Sequence, residues 1–191
     1  MFYYYLCIMG YTTEFEGRFD LDRELSEEMF NFLKSFNETR RMKRKISDEF
    51  GVEGEFFVKG GGDFGQGRED NIIEYNEPPS TQPGLWCQWT PTEDRKGIEW
   101  DGGEKFYDYT EWLVYLVNKI LAPNGYVLNG AVQWEGEERG DRGKIIVENN
   151  KVYTKKGRLK DEITPENARK YIAGEGWKYD FMMAETVLKL S

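Results

Sequence analysis

The chain has 191 residues, with 35 acidic against 26 basic side chains, a formal charge of −9, two cysteines and no histidine. The missing histidine excludes Ser-His-Asp and Cys-His catalysis, His-ligated zinc and a histidine pH switch. Cys7 and Cys87 alone build neither a disulfide framework nor a four-thiolate metal site, which points to a reducing, cytoplasmic setting. With 12 Phe, 12 Tyr, 6 Trp and 39% hydrophobic residues, the chain can bury the core of one ordinary domain and is not wholly disordered.

Residues 1–8 are apolar but too short to cross a bilayer and lack a basic leader, so Met9 is expected as an alternative start preceded by an extension. Nothing later reaches membrane-spanning length, and no membrane partner is expected. Residues 11–21 alternate with period two. Thr13, Phe15, Gly17, Phe19 and Leu21 share one face, and Glu14, Glu16, Arg18 and Asp20 the other, as in a half-buried strand. Ser26 reads as an N-cap, with Glu27 and Glu28 in the first turn. The spacing of Leu25, Met29, Phe32, Leu33 and Phe36 predicts a helix over 27–41 that ends in basic residues, Arg40 to Lys45.

Residues 46–83 read as a long loop insertion. A short strand is allowed at Glu55–Lys59, glycine-rich chain follows from Lys59 to Arg68, and a proline-rich stretch runs from Pro78 to Pro83. Strands are predicted at 85–90 and 97–101, then a helix over 104–121 carried by Phe106, Tyr109, Leu113, Leu116, Val117 and Ile120. Pro123-Asn-Gly125 stops that helix. A strand follows over 126–135, then an acidic turn over 136–143. A hairpin pairs 144–148 with 151–155 across Asn149-Asn150. Thr164-Pro-Glu166 opens a helix, Gly174-Glu-Gly176 breaks it, and 180–190 forms another.

The order is that of an α+β, ferredoxin-like βαββαβ sandwich with a long glycine-rich loop, an added β-hairpin and C-terminal helices. The core domain is placed at 9–156, with a C-terminal helical extension over 157–191. If the helices cover one sheet face, the other carries Glu16, Arg18, Trp86, Gln88, Glu99, Asp101, Gln133 and Glu135, the candidate ligand or partner surface. A one-residue slip in register would exchange the two faces.

Gly60-Gly-Gly-Asp-Phe-Gly65 fits a dinucleotide fingerprint formally, but no amphipathic helix opens after it, so it reads as a loop and no cofactor is assigned. Arg40, Arg41, Lys43 and Arg44 form a candidate anion-binding patch, against the simpler role of bases at a helix C-terminus. The surrounding acidity argues against duplex nucleic acid. The carboxylates at Glu135, Glu137, Glu138 and Asp141, and at Glu99, Asp101 and Glu104, lack metal-loop spacing and read as solvated turn acids, so no metal is assigned. Cys87, mid-strand between two tryptophans, reads as a buried thiol.

Five strings resemble a family of small, uncharacterised bacterial and phage-carried proteins. They are Met9-Gly-Tyr-Thr-Thr-Glu-Phe-Glu-Gly-Arg-Phe19, Glu38-Thr-Arg-Arg-Met-Lys-Arg44, Pro78-Pro-Ser-Thr-Gln-Pro-Gly-Leu-Trp-Cys-Gln-Trp89, Glu99-Trp-Asp-Gly-Gly-Glu-Lys-Phe-Tyr107 and Gly125-Tyr-Val-Leu-Asn-Gly-Ala-Val-Gln-Trp-Glu-Gly-Glu137. The resemblance spans 9–155, implies a phage or mobile-element setting, and carries no activity or catalytic residue with it.

Two functions are expected from these features. In the first, a small acidic binding protein engages a host protein or a small ligand through the open face, as an inhibitor of a host defence or regulatory factor. In the second, an enzyme acts on a nucleotide or sugar-like ligand, with Trp86 stacking, Arg18 or Arg40 holding an anion, and Glu16 or Glu99 as acid/base. A homodimer through exposed aromatics is a further expectation.

Overall fold

A computed structural model describes residues 10–59 and 64–157. The expectations for residues 1–8, for the helices after 157 and for most of the Gly60–Gly65 string lie outside the described residues.

The alternating segment at the start of the chain forms β1 (Thr13–Glu16) and β2 (Phe19–Leu21). Both pair antiparallel with β7 (Leu128–Gly136) in one unbroken register, Glu16 opposite Gln133 and Phe19 opposite Gly130. They are therefore one strand, interrupted at Gly17-Arg18, where Gly17 takes a φ of 103°. The first helix, α1, runs Glu27–Glu38 and is capped by Ser26, whose Oγ accepts from Met29 N at 3.2 Å. It stops three residues before the expected end. Thr39 turns extended, its Oγ1 donating to Ser35 O and accepting from Lys59 N at 2.9 Å. The basic run consequently lies beyond the helix and does not serve its C-terminal dipole.

The 46–83 segment is more ordered than a loop. Lys43–Arg44 (β3) pairs antiparallel with Ile72–Glu74 (β4), and two single helical turns, Asp48–Phe50 and Val52–Gly54, lie between them. Residues 55–59 form no strand. The next hairpin is β5 (Trp89–Pro91) with β6 (Gly97–Trp100), shorter than expected at the β5 start. α2 covers only Tyr109–Tyr115; it widens into a π-helical turn over Leu116–Leu121 and closes with a tight turn at Ala122–Asn124. Gly125, in the left-handed region at φ 76°, ends it as expected. β7 (Leu128–Gly136) leads into the hairpin of β8 (Arg142–Glu148) and β9 (Lys151–Lys156). Asn149 and Asn150 both have positive φ, 48° and 66°, as a type I′ turn requires.

The result is a mixed α+β structure, mostly one antiparallel sheet with two helices. Its order is β5-β6-β2-β7-β8-β9, with β1 continuing β2 along β7. α1 and α2 contribute to one core with the inward alternates of the sheet. Phe19, Trp89, Ile98, Leu128, Val132, Ile145 and Val147 meet Leu33 and Phe36 of α1 and Trp112 and Leu113 of α2. Phe15 anchors an aromatic cluster, its ring centroid 4.9–5.8 Å from those of Tyr109, Trp89, Trp100 and Phe106. Each such pair adds about 0.5–1.5 kcal/mol beyond the area it buries. Among the described residues no helix is long and apolar enough to cross a membrane.

Candidate functional site

Alternation fixes what the helices leave uncovered. Glu14 and Glu16 on β1 stand directly across from Glu135 and Gln133 on β7. Arg142 and Lys144 follow on β8, opposite the same two β7 residues. Glu14, Glu16, Gln133, Glu135 and Arg142 line a shallow hollow of about 160 Å³ on this open face. Glu14 and Glu135 are a like-charged pair at one cross-strand position, an arrangement that destabilises a sheet. Neither carboxylate, nor that of Glu16 or Glu99, has a hydrogen-bond or ion-pair partner among the described residues. Some carboxylates elsewhere are engaged. Asp20 and Asp94 hold Arg18 at 2.9 and 2.8 Å, Glu93 holds Lys34 at 2.7 Å, and Glu24 pairs with Arg95. In the acidic turn, Glu137 Oε1 accepts from Thr12 N at 2.7 Å and Asp141 accepts from the Tyr11 hydroxyl. Burial and the bond to Asp141 push that phenol upward.

The remaining expected site residues do not join this face. Because β5 begins only at Trp89, Trp86 and Gln88 sit on the preceding irregular stretch, beside the end of α1. Trp86 separates two depressions. One, of about 480 Å³, is bounded by Gly84, Trp86, Gln88, Glu104, Tyr107 and Asp108. The other, of about 310 Å³, extends past Asn37, Phe64 and Asp101. Asp101 receives a 2.7 Å bond from Asn37 Nδ2. Gln88 donates to Glu104 O at 2.8 Å and accepts from Trp100 Nε1 at 3.2 Å. So Glu16, Arg18, Glu99, Gln133 and Glu135 belong to the open face, and Trp86, Gln88 and Asp101 to a cleft at its edge.

The anion-binding patch is corrected by burial. Arg41 and Arg44 are 2% and 1% exposed. Arg41 donates to Phe57 O at 2.6 Å, Glu55 O at 2.7 Å and Gln82 Oε1 at 3.2 Å, with its guanidinium 4.2 Å from the Phe36 ring. Burial pushes it down to about 10, still a cation at neutral pH. Arg44 is held by Glu69 at 2.6 Å and by Gly65 O, over the Phe57 ring. Lys43 pairs with Glu53 at 3.1 Å, and Arg40 donates to Tyr75 O and to Asn76 at 3.2 Å. These bonds fasten the 46–83 segment to the domain, and burial takes Arg41 and Arg44 off the surface.

Cys87 is fully buried, its thiol pushed up to about 12 by burial. Among the described residues no group of three or more His, Cys, Asp or Glu is arranged to hold a metal ion.

Asp108 escaped the sequence reading, which placed it inside a helix starting at 104. Asp108-Tyr-Thr-Glu111 has capping-box spacing and marks the true start at Tyr109. Yet the Asp108 side chain does not cap. The residue sits in the left-handed region at φ 54°, its carboxylate faces the cleft, and desolvation followed by Glu111 raises its pKa.

No protein-family model matches this chain. No curated protein and no solved structure matches it either.

Proposed function

We propose that this chain is a small acidic binding protein that engages a basic surface of a host protein through the open face of its sheet. The observation that carries the reading is the cross-strand placement of Glu14 opposite Glu135, with Glu16 beside them and Glu99 further along the same face, none of the four carboxylates having a partner among the described residues. A sheet that sets Glu14 opposite Glu135 bears a repulsion that a cationic partner would relieve. In a phage or mobile-element setting, that partner is a host defence or regulatory factor and the outcome is its inhibition in the cytoplasm. We also infer a ferredoxin-like ancestry for the core. The order β5-β6-(β1/β2)-β7, antiparallel throughout, is the order in which a βαββαβ chain sets its second, third, first and fourth strands, with β8 and β9 added at the edge.

The enzyme reading has less support. Its stacking residue, Trp86, lies in the edge cleft, while its acid/base candidates Glu16 and Glu99 are not among the residues that line it.

The test compares capture from host lysate by the tagged wild type and by Glu16→Lys/Glu99→Lys/Glu135→Lys, read by native mass spectrometry with circular dichroism as a folding control. Charge reversal is expected to abolish capture of any host protein. Capture at the wild-type level by a folded triple variant would remove the open face from the reading.

A further inference from the structure

We propose that the open face of the sheet is the interface of a two-fold homodimer, in which a second copy of this chain seats its own open face upon it. The inference rests on strand register and not on the host-partner reading. The outward residues of β1, β7, β8 and β9 form cross-strand rows. One row runs Glu14, Glu135, Arg142, and the next Glu16, Gln133, Lys144, Lys155. A third runs Ala131, Ile146, Tyr153, and the unbroken register of β1 and β2 on β7 brings Arg18 to its near end. Charge is therefore sorted across the strands. The β1–β7 side carries Glu14, Glu16 and Glu135, and the β8–β9 side carries Arg142, Lys144 and Lys155. Ala131 and Ile146 sit side by side between the two, and Tyr153, near the β9 edge, is 47% exposed.

Symmetry decides how two such faces fit. The two-fold axis of a face-to-face dimer lies in the plane between the sheets, and every contact is made twice. An axis running across the strands would lay β1 on β1 and set acid against acid. An axis parallel to the strands, between β7 and β8, lays β1 on β9 and β7 on β8, so that each row meets its own copy. Glu16 then faces Lys155 of the second copy, Glu135 faces its Arg142, and Ala131 faces its Ile146. Tyr153 comes over its Arg18, a ring against a guanidinium. The angle of about 30° between packed sheets displaces the outer contacts, but within the reach of Glu and Lys side chains. The patch measures about 14 Å across the strands and about 20 Å along them. With side chains it covers roughly 500 Å² per copy, short of the ~800 Å² of a standard interface, so the dimer is weak and favoured by high concentration. A second copy and a host protein exclude one another here, and dilution frees the face for the latter.

The test is sedimentation velocity on the purified full chain, from micromolar to millimolar concentration, with circular dichroism as the folding control. No host protein is present, so the result is independent of capture from lysate. The wild type is expected to pass from monomer to dimer as concentration rises. Glu16→Lys and Lys155→Glu change exposed side chains, so the fold should be kept. Each alone sets like charges together twice in its own homodimer and should weaken association at least about tenfold. An equimolar mixture of the two variants restores both opposite-charge contacts, and should dimerise as the wild type does. That rescue is specific to an interface in which Glu16 of one copy meets Lys155 of the other. The proposal is overturned if the wild type stays monomeric throughout, with its own residues 158–191 or solvent on the face. It is equally overturned if either variant dimerises like the wild type, or if the mixture associates no better than the variants alone.

Discussion

Replacing Arg41 by methionine isolates what a buried cation contributes here, because the apolar stem is kept while every donor is lost. In the wild type the guanidinium reaches Phe57 O, Glu55 O and Gln82 Oε1. Glu55 O would retain a partner, since Gln82 Nε2 also donates to it at 2.6 Å. Phe57 O and Gln82 Oε1 would be left bare inside the protein. Each orphaned buried acceptor costs about 1–3 kcal/mol, partly offset because a cation need no longer be buried. The expected net loss is about 3 kcal/mol, including the stacking over Phe36. With an m-value of about 2 kcal/mol/M for urea, the midpoint should fall by roughly 1.5 M with m unchanged. Hydrogen exchange should show where the loss falls, with residues 54–57 losing protection before the sheet does. A midpoint shift under about 0.5 M, with residues 54–57 still protected, would mean that the 46–83 segment is held by its apolar contacts and not by Arg41.

Two further predictions concern titration and reactivity. Asp94 accepts from Thr92 Oγ1 at 2.5 Å, from Arg18 at 2.8 Å and from Lys96 N at 3.0 Å, and these bonds hold its carboxyl well below the ordinary carboxylate range. A depressed pKa in the folded state supplies stability that is present above the unfolded value and is lost as pH falls through the folded one. Asp94→Asn should therefore melt below the wild type at neutral pH, with the gap narrowing as pH drops from about 5 to about 2; a constant gap would show that linkage plays no part. In a Cys7→Ser background, Cys87 should resist Ellman's reagent until denaturant opens the core, because its thiol is buried and shifted upward; prompt reaction of the native chain would contradict that burial.

Period and punctuation made the sheet legible from sequence. The inward set Phe15, Phe19, Trp89, Ile98, Leu128, Val132 and Trp134 is simple alternation, and Asn149-Asn150 carries its turn type in its chemistry. The end of α1 was not legible by the same means. Residues 39–41 are compatible with a helix in isolation, and what stops it is a long-range event, the capture of Thr39 by the backbone of Lys59. The basic run misled for a related reason. Five bases in six positions read as a solvated patch, and no local pattern shows that Arg41 and Arg44 each find backbone carbonyls 14–21 residues away. The division of the candidate site also had a local sign that alternation overrode. Gly84 and the prolines before it delay the start of β5, and that places Trp86 at an edge instead of on the open face.

The inward turn of those arginines bears on how the outside behaves. Arg41 and Arg44 count toward the formal charge but are shielded, and Lys43 and Arg40 are tied to Glu53 and to the Tyr75–Asn76 backbone and side chain. Those cations are thus spent on holding the 46–83 segment, and the bases beside the open-face carboxylates are Arg18, held by Asp20 and Asp94, with Arg142 and Lys144 on β8. A partner approaching the open face meets the field of the carboxylates of Glu14, Glu16, Glu99 and Glu135 interleaved with these bases. Such a field acts chiefly on the rate of encounter and is screened beyond about 8 Å at physiological salt. Association through the face should weaken steeply between low and high salt, and capture that is unchanged across a salt series would show that charge does not drive it.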